Sequence, residues 1–161
     1  MHVKIFTTGG TIDKVYFDAT SKYQVGPPNI AAVFDELNLG FSYTIESLMK
    51  KDSLDLSDED REIICRAVAQ DPADRIIITH GTDTMVETAK KLAGIQGKTI
   101  VLTGALKPAL FKTTDAVFNI GCAVAAVQAM NPGVYIVMNG RIFSHDKVRK
   151  NVRLEKFEDA E

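Results

Sequence analysis

Residues 3–12 of the sequence read VKIFTTGGTI, a strand pattern that runs directly into a glycine turn, and this stretch decides the fold. Val3–Thr8 is apolar, β-branched and aromatic, which predicts a strand. Gly9 and Gly10 allow the backbone a positive φ or a close approach to a ligand. Thr11 follows at once. A hydroxyl at this place, just past the carboxyl end of a first strand, can cap a helix or act as a nucleophile.

Four more short apolar runs follow, and helical patterns separate them. Three of the runs are almost continuously apolar, which is typical of strands buried on both faces of a parallel sheet; they are IIIT at 76–79, IVLT at 100–103 and VYIVM at 134–138. The predicted strands are Val3–Thr8, Phe41–Ser47, Arg75–Thr79, Thr99–Thr103 and Val134–Met138, and the predicted helices are Asn29–Leu37, Ser57–Gln70, Asp83–Leu92 and Asp115–Met130. Because strands and helices alternate, we expect a single α/β domain over residues 1–161, with a doubly wound, mostly parallel sheet and helices on both faces, flavodoxin-like or Rossmann-like.

Composition excludes several classes of function. The chain has 161 residues, of which 45% are hydrophobic and 25% charged, and its net charge is −2. A charge so evenly balanced predicts neither nucleic acid nor a membrane as a partner. No signal-peptide pattern is present at the start, and Cys65 and Cys122 fit inert buried thiols, so we expect a cytoplasmic protein. Neither a zinc-ligand spacing nor a dinucleotide motif is found, so we predict no metal and no cofactor.

Polar side chains on small-residue turns follow every predicted strand. In doubly wound sheets, ligands bind beyond the carboxyl ends of the strands, so these turns are the candidate site; they read TGGT at 8–11, KDS at 51–53, THGTD at 79–83, GALKP at 104–108 and NGR at 139–141. The connection between Thr8 and Asn29 is roughly twenty residues long, whereas connections in α/β units usually have about 2–6 residues. We therefore predict a lid there.

Two of these segments, TTGGTI at 7–12 and THGTDTM at 79–85, together closely resemble the two signature segments of the bacterial-type L-asparaginases. The segments GPPNIAAVFDEL, KDSLDLSDED, IVLTGALKP and VYIVMNGRI also resemble parts of that family. The resemblance covers the larger, N-terminal domain of family members, and we expect their smaller C-terminal domain to have no counterpart in this chain.

The resemblance implies a catalytic role for five residues. They are Thr11 as the nucleophile, Tyr23 as the lid tyrosine that hydrogen-bonds to the nucleophile, Thr82 as a second catalytic threonine, Asp83 as the aspartate that meets the substrate's α-ammonium, and Lys150 as the catalytic lysine. The placement of the lysine leaves Lys147, three residues earlier, as an alternative.

The resemblance also implies a substrate-binding set at the same turns. Ser53 matches the serine that holds the substrate's α-carboxylate. We expect the neighbouring and glycine-turn residues to complete the set, which is Gly10, Asp52, Ser53, Gly81, Thr82 and Asp83. Asp83 is further predicted to open a helix and to gain from the positive end of that helix.

The chemistry of amide hydrolysis explains why these residue types are needed. A threonine hydroxyl is a poor nucleophile unless a neighbouring group accepts its proton. Two acceptors stay open: the Tyr23 phenol, if the lid closes, or a hydrogen-bonded chain of Thr82, Lys150 and Asp83. Backbone N–H groups of the glycine turn would stabilise the oxyanion. The reaction implied is hydrolysis of L-asparagine to L-aspartate and ammonia through an acyl-enzyme.

Other functions stay open beside this one. A related amidase would prefer glutamine or a small amide, and a catalytically weak module would only bind an amino acid. All three share the fold, so the fold does not separate them. The helix at Asp115–Met130 is apolar nearly all round, so we also expect a homo-oligomer, a dimer or a tetramer.

The resemblance is incomplete in two places. In full-length members, the C-terminal domain of a neighbouring subunit supplies an acidic residue to the substrate's ammonium. Here another protomer's acidic tail can replace it, asparagine can bind loosely, or the substrate can be another amide; the tail candidates are Glu155, Glu158, Asp159 and Glu161. The sequence also has Asp13-Lys14 where family members more often have small residues, which places charge near the lid hinge.

Overall fold

The computed structural model describes all 161 residues, which form ten strands and four α-helices. The strands are β1 (His2–Gly9), β2 (Lys14–Phe17), β3 (Lys22–Val25), β4 (Ser42–Lys51), β5 (Arg75–Thr79), β6 (Thr99–Thr103), β7 (Gly133–Met138), β8 (Arg141–Ser144), β9 (Val148–Asn151) and β10 (Lys156–Asp159). The helices are α1 (Ile30–Asp35), α2 (Asp58–Gln70), α3 (Met85–Leu92) and α4 (Ala116–Ala129). None of the four has the length and hydrophobicity of a membrane span.

A six-stranded sheet forms the centre of the protein, in the order β4-β1-β5-β6-β7-β8. The first five of these strands run parallel, and β8 alone is antiparallel, to β7. Chain order reverses at β1, which has β4 on one side and β5 on the other, so this is the switch point at which such sheets bind ligands. The predicted doubly wound, mostly parallel sheet is confirmed.

Helices cover both faces of the sheet because alternate strand residues point to opposite sides. On one face α2 and α3 pack on a core that includes Phe6 and Ile78. On the other face α1 and α4 pack on a core that includes Ile5 and Ile77. Both cores are built from apolar side chains, which explains why the strands read as nearly continuous hydrophobic runs.

The helix starts show where local signals succeed and fail. Ser57, the first residue of the predicted helix Ser57–Gln70, caps α2: its Oγ accepts from Asp60 N at 3.2 Å, and the Asp60 carboxylate accepts from Ser57 N at 2.9 Å. The predicted start of a helix at Asp83 is wrong. The helix α3 begins at Met85, with Thr84 at the cap position. Asp83 lies outside the helix, and its carboxylate accepts from Lys150 and not from the helix end.

Two hairpins lie outside the central sheet, and neither was predicted as such. The predicted lid between β1 and α1 contains the antiparallel pair β2–β3, most of which is exposed. Near the end of the chain, β9 pairs with β10. Val148 and Phe157 of this second hairpin are buried in the same core as α2 and α3, so the hairpin is fixed to the body of the protein. Cys65 and Cys122 are free and only partly buried, not fully buried as predicted.

Asp13 joins the two ends of the β2–β3 hairpin. Its side chain is buried, and Oδ1 accepts from Asn29 N at 2.8 Å, while its carbonyl accepts from Gly26 N at 2.7 Å. Burial raises the pKa of Asp13 from its ordinary 3.8 to about 6, although the Asn29 N–H acts in the opposite direction. The base of the lid is therefore held by a carboxylate that is costly to ionise.

We predict that Asp13→Asn stabilises the protein above pH 6 and has little effect below pH 4. The unfolded chain releases the Asp13 proton near pH 3.8 and the folded protein only near pH 6, so the free energy of unfolding falls as pH rises between these values. A shift of this size corresponds to about 3 kcal/mol at most, and the amide keeps an acceptor for Asn29 N. Urea unfolding of both proteins at pH 4 and pH 8 measures the difference; equal stability at pH 8 would contradict the prediction.

Candidate active site

The loops that follow β1 and β5 touch through two glycines. Gly9 and Gly10 have φ of 98° and 89°, the left-handed region that favours glycine. A Cβ on Gly10 would overlap the backbone of Gly81, and a Cβ on Gly81 would lie 2.6 Å from Ser53 Oγ. Three loops, after β1, β4 and β5, therefore pack together with no side chain between Gly10 and Gly81.

Thr11 follows this contact and begins a single 3₁₀ turn, Thr11–Asp13. The glycine turn is tied to the neighbouring strand, since Gly10 N donates to Lys51 O at 2.9 Å. The Thr11 side chain is partly exposed and has no hydrogen-bond partner within the protein. Its hydroxyl is thus held at the carboxyl edge of the sheet and is open to a ligand.

The structure brings Thr82, Asp83 and Lys150 together. Lys150 Nζ donates to Thr82 Oγ1 at 2.8 Å and to Asp83 Oδ1 at 2.6 Å. The exposed fractions of the Lys150 and Asp83 side chains are 14% and 40%, and Thr82 is buried. The hairpin β9–β10 supplies the lysine across 67 residues of sequence. Of the two candidate lysines, only Lys150 makes these contacts.

Ser53 lies on the other side of Gly81 and carries an unpaired hydroxyl. The residue is 1% exposed and its Oγ has no hydrogen-bond partner, an arrangement that calls for a polar ligand. Its carbonyl accepts from Thr84 Oγ1 at 2.8 Å, which joins the loops after β4 and β5. The neighbouring Asp52 accepts from Leu54 N at 3.3 Å and so caps the turn that holds Ser53.

A salt bridge joins the lid to the Ser53 loop. Lys14 Nζ lies 2.8 Å from Asp52 Oδ2. Burial alone would raise the pKa of Asp52, but the hydrogen bonds from Lys14 and from Leu54 N outweigh it and hold that pKa below its ordinary value.

A cleft of about 480 Å³ lies between the hairpin and the end of β4, with Tyr23, Lys50 and Asp52 among its lining residues.

Tyr23 is the predicted catalytic residue that the structure leaves apart from the others. It lies on β3 and is about half exposed. Its ring packs against Tyr16 at 5.4 Å and against Phe111 at 5.8 Å between centroids. The phenol makes no hydrogen bond to Thr11. A hydrogen bond between Tyr23 and Thr11 would therefore require the Tyr23 side chain or the hairpin that carries it to move.

Two of the acidic tail residues are already paired within the chain. Glu158 accepts from Arg149 and Asn151, and Asp159 accepts from Arg141 at 2.9 Å. These pairs hold the hairpin β9–β10 in place.

No cluster of three or more His, Cys, Asp or Glu side chains is suited to holding a metal ion.

Sequence reasoning missed two polar residues that connect the site. Thr84 bonds to the Ser53 carbonyl, and His80 is fully buried beside Gly81. Only the position of His80 inside the THGTD turn could have indicated a role, because its spacing to other histidines carries no information.

Comparison with known proteins decides the family. A family model described as "Asparaginase, N-terminal" matches residues 2–158. The chain belongs to the asparaginase N-terminal family. A glutaminase-asparaginase from Pseudomonas fluorescens biotype A is 33% identical to it over 97% of this chain and 48% of that protein. The chain thus spans about half the length of the curated asparaginase relatives that it matches.

Solved structures agree with this assignment. The thermostable L-asparaginase from Thermococcus kodakarensis superposes with a TM-score of 0.86 and 27% identity, covering 99% of this chain and 51% of that one. A probable cytoplasmic L-asparaginase from Campylobacter jejuni gives 0.83 and 30%, covering 98% and 52%. The asparaginase fold is therefore present over essentially the whole of this chain.

Proposed function

We propose that this asparaginase domain hydrolyses L-asparagine to L-aspartate and ammonia, with Thr11 as the nucleophile. The observation that carries the proposal is the contact of Gly10 with Gly81, which sets the Thr11 loop directly against the loop of Thr82 and Asp83. The unpaired Thr11 hydroxyl therefore lies on the loop next to the one that carries Asp83, whose carboxylate pairs with the Lys150 ammonium. The names of the related proteins support asparagine as the substrate.

The backbone of the α-amino acid would bind beside the two glycines. The unpaired Ser53 hydroxyl is suited to the α-carboxylate, and the Asp52 turn holds that hydroxyl in place. The Asp83 carboxylate is suited to the α-ammonium because one of its oxygens bonds to Lys150 while the side chain stays 40% exposed. Gly10 and Gly81 would let the ligand approach the backbone closely.

The reaction would proceed in two steps. Thr11 Oγ1 attacks the side-chain carboxamide carbon, the C–N bond breaks, and the NH2 group takes up the proton that the threonine has lost and leaves as ammonia. Water then hydrolyses the aspartyl ester and restores the Thr11 hydroxyl. Backbone N–H groups at the glycine turn would stabilise the oxyanion, a contribution of about 3–4 kcal/mol per donor in other hydrolases.

The proton of Thr11 has two routes. In the first, the hairpin β2–β3 moves until the Tyr23 phenol reaches Thr11. In the second, Lys150 would first transfer a proton to Asp83 Oδ1, 2.6 Å from its Nζ, and the neutral amine would then accept the Thr82 proton as Thr82 accepts that of Thr11; Nζ lies 2.8 Å from Thr82 Oγ1. The second route needs no rearrangement of Thr82, Lys150 or Asp83.

Two other functions remain as alternatives. Glutamine or a small amide is the alternative substrate, which the name of the Pseudomonas fluorescens relative favours. A catalytically weak amino-acid-binding module is the second alternative. We further propose that residues 1–161 act as one catalytic domain and that this domain acts in the cytoplasm, by analogy with the probable cytoplasmic L-asparaginase from Campylobacter jejuni.

We also propose that the protein is a homo-oligomer, a dimer or a tetramer. Val117 and Phe118 on α4 and Ile142 on β8 are exposed large apolar side chains, between about 46% and 61% accessible. A second copy of the chain would cover them. Light scattering at micromolar concentration should return a multiple of the chain mass; the monomer mass would exclude this proposal.

We predict that Thr11→Ala abolishes ammonia release from asparagine, with kcat reduced by at least about 10³-fold, because the nucleophile is lost. The exposed Thr44 on β4 provides the matched control, and Thr44→Ala should retain full activity. Ammonia release is measured with asparagine, glutamine and a panel of small amides.

Each outcome of this experiment selects one function. Release only from glutamine or from another amide selects the alternative substrate. No release from any amide, together with a melting temperature raised by asparagine, selects the binding module. Loss of activity no greater in Thr11→Ala than in Thr44→Ala would contradict the assignment of the nucleophile.

We predict that Lys150→Met lowers kcat by about 10²-fold or more, because general acid–base groups typically contribute this much. The exposed Lys147 is the matched control, since Lys147→Met removes a lysine of the same hairpin region that does not contact Thr82. Tyr23→Phe is measured beside them. A large loss in Tyr23→Phe with none in Lys150→Met would assign the proton to the lid route.

A further inference from the structure

His80 is the most deeply buried titratable side chain, and the proposed reaction does not use it. Its side chain has no exposed surface. Nδ1 lies 2.7 Å from the Gly81 carbonyl oxygen, and Nε2 lies 2.8 Å from Thr88 Oγ1 on α3. The ring therefore connects the start of the catalytic turn to a helix in the core.

The partners determine which nitrogen carries the proton. Burial lowers the pKa of His80 from its ordinary 6.5 to about 4, so the ring is neutral at pH 7 and has one N–H. A carbonyl oxygen only accepts, so the proton lies on Nδ1 and is donated to Gly81. Nε2 then accepts from the Thr88 hydroxyl at 2.8 Å, a much shorter contact than the 3.5 Å from that hydroxyl to the Thr84 carbonyl oxygen. Both ring nitrogens and that hydroxyl are satisfied in this single arrangement.

The hydrogen bond to Gly81 also orients the next N–H group. The carbonyl of Gly81 and the N–H of Thr82 belong to one trans peptide, in which they point in opposite directions. Since the carbonyl points to the buried ring, the Thr82 N–H points away from the core. Thr82 is 5% exposed, yet its N–H donates to no acceptor in the protein. A buried N–H without a partner is uncommon and indicates a ligand position.

Contacts on both sides fix the ends of this turn, so the peptide between Gly81 and Thr82 is the part that these contacts do not orient. His80 N donates to Thr103 O at 2.9 Å, and a Cβ on Gly104 would overlap the His80 carbonyl. At the other end, Thr84 Oγ1 donates to Ser53 O. The peptide between Gly81 and Thr82 lies between these two anchors, and the His80 ring is the side chain that bonds to it.

We propose that His80 is a positioning residue, which uses its Nδ1–H to hold the Gly81 carbonyl inward so that the N–H and the hydroxyl of Thr82 face the substrate. The inference rests on the proposed amide hydrolysis. His80 does not touch the substrate and exchanges no proton with it; its effect passes through one peptide plane.

Two substitutions separate the roles of the two ring nitrogens. His80→Asn places an amide N–H near the position of Nδ1 and can still donate to Gly81, whereas His80→Gln places its amide near Nε2 and loses that bond. We expect kcat for asparagine to fall by about 10²-fold in His80→Gln with KM nearly unchanged, as when an oxyanion donor is lost. His80→Asn should recover at least tenfold of that loss. The exposed His2 supplies the control, His2→Gln, with activity like the wild type.

A second pair covers the case in which His80→Gln does not fold. Thr88→Ser keeps the hydroxyl that bonds to Nε2, and Thr88→Val removes it at similar volume. We expect kcat to fall roughly threefold to tenfold in Thr88→Val, with KM unchanged, because the ring loses the bond that fixes its orientation; a loss of about 1 kcal/mol corresponds to this range. Thr88→Ser should stay close to the wild type.

The result that would overturn the proposal is equal kcat in His80→Asn and His80→Gln, or a change confined to KM. For the second pair it is equal kcat in Thr88→Ser and Thr88→Val. Nitrogen-15 NMR tests the same proposal without measuring turnover. The His80 ring should show the Nδ1–H form, and the Thr82 amide signal should shift more in His80→Gln than in His80→Asn. If no amide is hydrolysed but the NMR result holds, the proposed function fails and the positioning by His80 stands.

Discussion

Gly10 lies directly against Gly81, and this contact between the loops after β1 and β5 sets the spacing of the groups at the carboxyl edge of the sheet. No side chain fits between the two loops, and the far side of Gly81 is occupied by Ser53. A switch point in a doubly wound sheet opens a crevice. Here the crevice is narrow because the two glycines let three loops pack together. The unpaired hydroxyls of Thr11 and Ser53 and the Lys150–Asp83 pair therefore lie at adjacent loops.

The polar groups of the site have a fixed geometry because they are buried away from solvent. His80, Thr82 and Ser53 are all nearly inaccessible, and each is tied to a neighbouring loop through a hydrogen bond or a backbone contact. Such networks are costly when a member is left unpaired, and at this edge of the sheet the unpaired Ser53 hydroxyl is suited to a polar ligand. The β2–β3 lid is less buried than the site. Its base is fixed by the Asp13 hydrogen bond and the Lys14–Asp52 salt bridge, while Tyr23 is half exposed and packs against Phe111.

The parallel strands and the helix α2 could be predicted from sequence, because their signals are local. Continuous apolar runs located β5, β6 and β7 within about one residue, and the helix predicted over Ser57–Gln70 agrees with α2, which begins at Asp58 with Ser57 as its cap. The hairpin β2–β3 was not predicted because it is mostly exposed and each of its strands has only four residues, the shortest length at which alternation indicates a strand. The partners of Lys150 and His80 depend on tertiary contacts, with Thr82 across 68 residues and with Thr88 on a separate helix. The prediction that a helix begins at Asp83 was wrong, and the partner that Asp83 has instead, Lys150, is likewise a tertiary contact, 67 residues away in the sequence.

The central claim is that Thr11, placed by the two glycines, forms a covalent bond to the substrate. Rapid acid quenching of the protein during turnover of asparagine, followed by peptide mapping with mass spectrometry, tests it most directly. The account predicts an added aspartyl group on the peptide that contains Thr11, absent when Thr11 is replaced by alanine. An aspartyl group on Thr82 or Ser53, or turnover with no adduct on any residue under conditions that trap esters, would contradict it.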